Sequence, residues 1–463
     1  MNTVDITEII EKQKPNRKVL ALLILSFLIM LCDGYDLQAI AFASPTIIAD
    51  WGIQKASFGF IFSGGLFGVM VGGFLFGYVA DRIGRRPALL WGTLLFGVFT
   101  LAAVLATNIT QLAVLRFVAG LGIGGITPIA IALNVEYAPK RFRASVVGLV
   151  MIGYVVGTSS GGIFAAWLVP TFGWQVLFYI GGLAPLLLLP FIAMSLPESI
   201  KYLVLSGQKP EAVARVVNAI DPSIRASSQT RFVLGTAEEG ARIAGWKDSV
   251  KALFGGQLSK ITPALWGAFV CSSVTVFFLA SWIPVLTVGT GRSASLAAVG
   301  LALFSAGGAF GGIFSSRVID RFGIGAMASI PLIAAVFVVS VGSFEFSDTG
   351  FLSMLCLIGF FVLGGHVGLM GAMGLFYSNA NRANGVGWAI SIGKFGSIIG
   401  PAIAAVLIAA NTAISYLFMA AAAPLLMAGM GILVLGRLQK AADHEHRMGA
   451  DRANDPEARP IDA

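Results

Sequence analysis

The chain has 463 residues, of which 57% are hydrophobic and only 12% charged, about half the ~25% charge content of ordinary soluble domains. This composition excludes a soluble globule, because the charges are gathered into a few segments and the runs between them are long enough to cross a bilayer. A net charge of +8 would point to nucleic acid only if a solvated basic face existed to carry it, so no nucleic-acid partner is expected and the lipid bilayer is the surrounding medium.

In chain order, residues 1–18 read as a polar tail that stays on the chain, since the apolar run after them is too long for a signal-peptide core. Apolar windows of roughly 20 residues predict spans at 19–49, 56–80, 88–107, 111–137, 144–168 and 174–196, then at 262–288, 295–318, 326–346, 350–377, 385–409 and 412–436. Between the two sets lies a polar stretch, Pro197 to Lys260, rich in Lys and Arg. The expected fold is an all-α polytopic membrane protein of twelve transmembrane helices in two six-helix halves. Its parts are a tail (1–18), a first bundle (19–196), a linker (197–261), a second bundle (262–436) and a polar, disordered tail (437–463). Cys32, Cys271 and Cys356 all fall in apolar runs and read as small packing residues, with no disulfide framework.

Orientation follows from the basic residues. Of the 31 Lys and Arg, 27 lie in segments that are cytoplasmic if the amino terminus is inside. Lys55 and Arg292 lie outside, and Arg116 and Lys394 lie within spans. The positive-inside rule therefore places both termini and the linker in the cytoplasm. The halves also repeat: Gly72-Gly73-Phe74-Leu75-Phe76 with Asp81-Arg82-Ile83-Gly84 matches Gly311-Gly312-Ile313-Phe314-Ser315 with Asp320-Arg321-Phe322-Gly323, at a constant offset of 239. Parallel repeats of this kind belong to transporters that rock one half against the other around a midplane site.

Span one contains Asp33-Gly34-Tyr35-Asp36, two carboxylates at a depth where each costs ~2.5–3.5 kcal/mol on insertion scales, so each is a functional candidate by default. The plain alternative is that the acids cap a helix break at Gly34. Arg116 in span four is a partner for Asp36, or else snorkels to the outer headgroups. A neighbouring arginine favours an ionised aspartate and burial favours a neutral one, the balance a proton-coupling site needs. Lys394, in Trp388-Ala389-Ile390-Ser391-Ile392-Gly393-Lys394 of span eleven, is a natural partner for a substrate carboxylate; alternatively it pairs with a protein acid or lines water. His366 in span ten either donates to substrate or is a satisfied packing residue. Tyr35, Tyr154, Phe278 and Trp388 can sandwich an aromatic ring or pack helices. No Walker loop, zinc spacing or nucleophile elbow stands in a suitable context, so neither an ATP-driven pump nor an enzyme is expected, and no cofactor or metal.

The loop Gly77-Tyr78-Val79-Ala80-Asp81-Arg82-Ile83-Gly84-Arg85-Arg86 resembles the signature loop of the major facilitator superfamily, where it latches the inner gate. On this reading Gly77 lets a neighbouring helix approach, Asp81 accepts hydrogen bonds from a helix N-terminus, and Arg85 and Arg86 supply anchors and partners. Asp320 and Arg321 repeat the loop in the second half. Glu136-Tyr137-Ala138-Pro139 with Arg143, Pro197-Glu198-Ser199 with Leu203, and Arg116-Phe117-Val118-Ala119-Gly120 resemble further signatures of its sugar-porter and aromatic-acid branches. The first two imply charge networks at the cytoplasmic helix ends.

The Asp-Gly-x-Asp pattern of span one resembles the aromatic acid:proton symporter family in particular; sugar porters share only its second half. Lys394 departs from that family, which commonly shows arginine there, and Thr158 stands where antiporters of the superfamily carry proline. The resemblance implies proton-coupled import of an aromatic carboxylate such as a hydroxybenzoate, protocatechuate or a related lignin-derived acid, across a bacterial inner membrane, by a monomer. A sugar or other organic-solute porter, or a non-transporting membrane sensor, are the alternatives. The candidate residues are then Asp33, Asp36 and Arg116 for proton coupling, and Lys394, Tyr35, Tyr154, Trp388, His366 and Phe278 for substrate. Gly77, Asp81, Arg85, Arg86, Glu136, Arg143, Asp320 and Arg321 are the gating candidates.

Overall fold

The structure, a computed structural model, describes residues 3–13, 17–206, 210–220, 224, 226–227, 229–233, 250–377 and 381–453. Among them twelve helices are long and apolar enough to cross a bilayer. The first half contributes α2 (Arg17–Trp51), α3 (Phe58–Ile83), α4 (Arg85–Ala102), α5 (Ile109–Tyr137), α6 (Arg143–Phe172) and α7 (Gln175–Ser195). The second contributes α10 (Leu258–Gly289), α11 (Ala294–Phe322), α12 (Ser329–Ser343), α13 (Asp348–Ala372), α14 (Arg382–Ala409) and α15 (Ile414–Ala453). Each coincides with one predicted span. The limits differ in both directions: the window 144–168 is shorter than α6, whereas 326–346 is longer than α12, because helical hydrogen bonding can continue past a charge and apolar residues can continue past a helix end. Large apolar side chains such as Phe60, Phe74, Trp91, Trp167 and Phe310 are exposed on the helix surfaces, as expected where lipid is the solvent.

α15 corrects one expectation. It runs through the start of the tail as far as Ala453, because no Pro or Gly lies between Arg437 and Met448 to stop it and the segment is made of good helix formers.

The internal repeat is visible in how the helices cross. A Cβ built on Gly68 would collide with the Phe117 carbonyl, and one on Gly72 with that of Leu121, so α3 and α5 touch backbone to backbone. In the second half Gly307 meets the Cys356 carbonyl and Gly311 that of Phe360, so α11 crosses α13 through the same positions, each shifted by 239. Small residues are what permit such approach in lipid. α3 and α11 also end alike, on Gly84 with φ of 102° and Gly323 with φ of 78°, values that favour glycine.

At the end of the bundle where the amino-terminal segment and the linker lie, the first half carries further structure. α8 (Ile200–Leu205) and α9 (Pro210–Ile220) follow α7, and β1 (Thr3–Asp5) pairs in parallel with β2 (Arg231–Val233) in the register Thr3↔Arg231, Val4↔Phe232, Asp5↔Val233. After β1, Asp5 caps α1 (Ile6–Lys12) by accepting from the Thr7 amide at 2.8 Å. Ile6 and Ile10 of α1 join Val213, Ala214 and Val217 of α9 in the same apolar cluster as Leu22, Ile192 and Ile200.

By compactness the chain divides into two units that cut across the sequence halves. One comprises Met1–Ile243, Phe278–Ala306 and Pro401–Ile414; the other comprises Ala244–Phe277, Gly307–Gly400 and Ser415–Ala463. Within the first unit Trp282 donates to the Pro401 carbonyl at 3.1 Å and lies edge-on to Phe62 with ring centres 5.3 Å apart. Ser295 donates to the Ala166 carbonyl at 3.2 Å. The second unit is organised around Leu265, Phe269, Met327, Leu369, Met373 and Leu435.

Candidate functional site

Within the first unit, three polar pairs lie along the seam between α2 and α5. Asp36 is fully buried, and Arg116, 4% exposed, grips it with both nitrogens: Nη2 to Oδ2 at 2.6 Å and Nη1 to Oδ1 at 3.0 Å. Thr100 of α4 donates a third hydrogen bond to Oδ1 at 3.0 Å, and the guanidinium also reaches the Asp36 carbonyl at 3.3 Å and lies over the Phe178 ring at 5.7 Å. Seven residues down α5 from Asn134, Thr127 donates to Asp33 Oδ2 at 2.7 Å, and Asn134 itself donates to Ser26 at 2.6 Å. A two-pronged guanidinium–carboxylate pair satisfies both charges geometrically, which is what makes an ion pair tolerable where water is absent. Arg116 is therefore committed to Asp36 and does not snorkel.

α2 is unbroken through this region, so the aspartates do not cap a break. Gly34 is where α6 crosses: a Cβ there would collide with the Tyr154 carbonyl, and one on Gly157 with that of Leu31. The Tyr35 hydroxyl donates to the Leu177 carbonyl of α7 at 3.1 Å and the side chain is buried. Tyr35 thus ties α2 to α7, and Phe278, also buried, packs within the protein; Tyr154 is half-buried.

In the second unit, α14 lies against α10 through two glycines. A Cβ on Gly393 would strike the Phe269 ring, and one on Gly396 would stand 2.5 Å from the Val270 carbonyl and 2.8 Å from Ser273 Cβ. This contact sets the position of Lys394, which is half-buried. The other neighbour of Phe269 is His366 of α13, stacked on it with ring centres 4.5 Å apart and planes 12° from parallel. His366 Nδ1 is hydrogen-bonded to Ser272 at 3.1 Å. Trp388, a turn and a half before Lys394 on α14, packs against the apolar cluster of this unit.

The third group lies where α3 and α5 end and α4 begins. Arg85 is ion-paired with Glu136, whose other oxygen accepts from Ser199 at 2.6 Å. Glu198 Oε1 receives the backbone amides of Arg85 and Arg86 at 2.8 and 3.2 Å and that of Ser199 at 2.7 Å. Tyr137 donates to the Glu198 carbonyl at 2.5 Å, Tyr202 to that of Arg82 at 2.9 Å, and the Arg86 guanidinium to that of Ala193. Arg143 donates to the Ala138 carbonyl at 3.2 Å.

Two expectations for this loop change. Gly77 has nothing within 4 Å of a built Cβ, so close helix approach is not its reason; the approach occurs at Gly68 and Gly72. Asp81 is exposed and makes no hydrogen bond among the described residues. The acid at a helix N-terminus is Glu198, on the first amides of α4, where a carboxylate satisfies groups the helix leaves unpaired. Asp320 and Arg321 are likewise exposed, Arg321 lying over the Phe322 ring at 5.5 Å.

Sequence reasoning implied a charge network for the motifs that hold Glu136, Glu198 and Ser199, without naming Glu198 and Ser199 among the gating candidates, and it missed Thr100, Thr127 and the Ser26–Asn134 pair in the seam. Glu198 and Ser199 were visible as a motif. The others carry no signal in sequence, because Ser and Thr in a span more often bond their own helix.

Comparison with known proteins agrees with this architecture. Residues 26–374 match the Major Facilitator Superfamily. The chain is 34% identical to the 4-hydroxybenzoate transporter PcaK of Acinetobacter baylyi, over 89% of this chain and 90% of that protein. It is 31% identical to the benzoate transport protein of the same organism, over 91% and 90%. The inward-open structure of the xylose transporter XylE from E. coli superposes with a TM-score of 0.68 at 17% identity, covering 89% of this chain and 95% of that one, a likeness of fold. With the superfamily pattern spanning most of its length and both halves repeating the same helix crossings, the chain belongs to the major facilitator superfamily.

Proposed function

We propose that this chain imports an aromatic carboxylate together with protons across a bacterial inner membrane, by alternating access. The observation that carries the reading is the buried Asp36–Arg116 pair with Asp33 beside it on the same helix, in a chain whose relatives are named as transporters of 4-hydroxybenzoate and benzoate. Protonating Asp36 removes one charge of the pair, and the freed guanidinium must then find another partner, so proton binding changes how α2 and α5 are held. Asp33, held by Thr127, tunes this exchange or positions substrate. Lys394 supplies the positive charge for the carboxylate, since an ammonium inside a membrane gains most from an anion, and Trp388 and Tyr154 are the half-buried aromatic surfaces available to a flat ring.

The halves 19–196 and 262–436 act as the two moving bodies, with both termini cytoplasmic and a monomer as the working unit. The Arg85–Glu136–Glu198 cluster, together with Gly77, Asp81, Arg86, Arg143, Asp320 and Arg321, governs the inner end. This is an expected division of labour: Asp36 for coupling, Lys394 for recognition, the cytoplasmic loops for the rate of opening.

The test is uptake of labelled 4-hydroxybenzoate into proteoliposomes under an imposed proton gradient. Wild type concentrates the acid and loses accumulation with a protonophore. Asp36→Asn, a mimic of permanent protonation, abolishes accumulation but keeps downhill exchange. Lys394→Ala loses uptake and Lys394→Arg retains it. Accumulation by Asp36→Asn, with no effect of protonophore on wild type, would overturn proton symport; competition by a hexose and not by benzoate would overturn the aromatic substrate.

A further inference from the structure

His366 has a more specific placement than a packing histidine requires. Its ring plane is set by the stack on Phe269, and its Nδ1 is occupied by Ser272, whose side chain is buried. No group among the described residues bonds Nε2, and the residue is only half-buried. Inside a membrane-spanning helix an imidazole nitrogen left without a partner is costly, whereas one oriented by a bond at the opposite nitrogen is a prepared hydrogen-bonding group. The same Phe269 ring contacts Gly393, the residue before Lys394. The helix that carries Lys394 and the helix that carries His366 therefore both pack on the one Phe269 side chain.

We propose that His366 Nε2 reads a polar substituent on the substrate ring, so that it selects hydroxylated aromatic acids over their unsubstituted parents, with Ser272 as its positioning residue. The proposal rests on the aromatic-acid reading above. A site built to bond a hydroxyl discriminates against the analogue lacking it, because its own polar group is then left unpaired.

The experiment compares uptake of 4-hydroxybenzoate, its 3-hydroxy isomer and benzoate by wild type, His366→Phe and Ser272→Ala at matched protein levels. His366→Phe keeps a flat aromatic ring to stack on Phe269 and removes both nitrogens. It is expected to lower the preference for a hydroxylated acid over benzoate about tenfold, the worth of one such bond, through a larger loss of hydroxybenzoate uptake than of benzoate uptake; Ser272→Ala shifts the same ratio less. An equal loss for all three acids, or an unchanged ratio, would overturn the proposal and leave His366 a packing residue. Wild-type chain that takes up none of the acids would fail the aromatic-acid reading itself, a result seen before any variant is made.

An independent observation concerns residues 3–13. β1 pairs with β2 of the linker, Ile6 and Ile10 are buried against α9, both Glu11 oxygens accept the Lys140 amide at 3.1 and 3.2 Å, and Gln13 donates to the Tyr137 carbonyl. Tyr137 in turn bonds Glu198. The segment therefore joins the linker to the turn between α5 and α6, directly beside the Arg85–Glu136–Glu198 cluster. We infer that it is a strap whose attachment sets the turnover rate through this cluster, without touching substrate.

In full-length protein in liposomes, the pair Ile6→Asp with Ile10→Asp should raise hydrogen exchange at residues 137–142 and change the maximal uptake rate at least threefold with KM within twofold. Glu11→Ala, which leaves the apolar contacts in place, should do the same more weakly. Unchanged exchange, or raised exchange with wild-type rate in both variants, would overturn the inference.

Discussion

Asp36 and Arg116 form a two-pronged pair with almost no access to water, and its energetics have a definite sign. Removing one partner strands the other, at a cost of roughly 3–5 kcal/mol, while removing both is far less damaging. Arg116→Ala should therefore lower the melting temperature of the detergent-solubilised protein strongly, and Arg116→Ala with Asp36→Asn should recover much of the loss. Additive effects in that cycle, read by thermal melting, would mean the two charges are not coupled in the folded protein. Arg116→Lys should fall between, since an ammonium cannot make the fork. These residues were legible in the sequence because a charge in a span is rare and expensive. Thr100 and Thr127, which complete their hydrogen bonding, were not, since nothing local separates them from the other hydroxyls of the spans.

At the scale of elements, helix crossings depend on a few glycines, and the structure separates those that pack from those that do not. Gly72 abuts the Leu121 backbone, so Gly72→Val forces α3 and α5 apart at a cost of about 1–3 kcal/mol, seen as reduced thermal stability. Gly311→Val should repeat the effect at the α11–α13 crossing. Gly77→Ala meets open space in a helix interior, where alanine is favoured over glycine by roughly 0.5–1 kcal/mol; melting should be unchanged or raised. A stability loss at Gly77 equal to that at Gly72 would contradict this division. The loop motif was recognisable from its residue types, but which of its members touch a neighbour depends on helix rotation, which residue types do not encode.

For the whole molecule, the 27-to-2 distribution of basic residues between the two sides makes a direct prediction of topology. A cysteine at the exposed Thr107, between α4 and α5, should react with an impermeant reagent from outside. One at the exposed Gln229 of the linker should react only after permeabilisation; the neighbouring Ala226 is buried and hydrogen-bonded to Asn218 through its backbone and would report packing instead. The reverse labelling would invert the chain.

Span number, the approximate place of each span, the repeat at 239 and the intramembrane charges followed from the sequence alone, because each rests on one strong local cost: apolar residues must fill the bilayer, and charges must avoid it or serve a purpose. What depends on side chains meeting across helices was decided only by tertiary structure. Glu198 rather than Asp81 sits on a helix N-terminus, Tyr35 is spent on a carbonyl of α7, Gly77 faces open space, and residues 3–13 are strapped to the linker. Those outcomes turn on the rotation and register of neighbouring helices. Both are set by small residues and backbone contacts distant in sequence, whose contribution no single segment reveals.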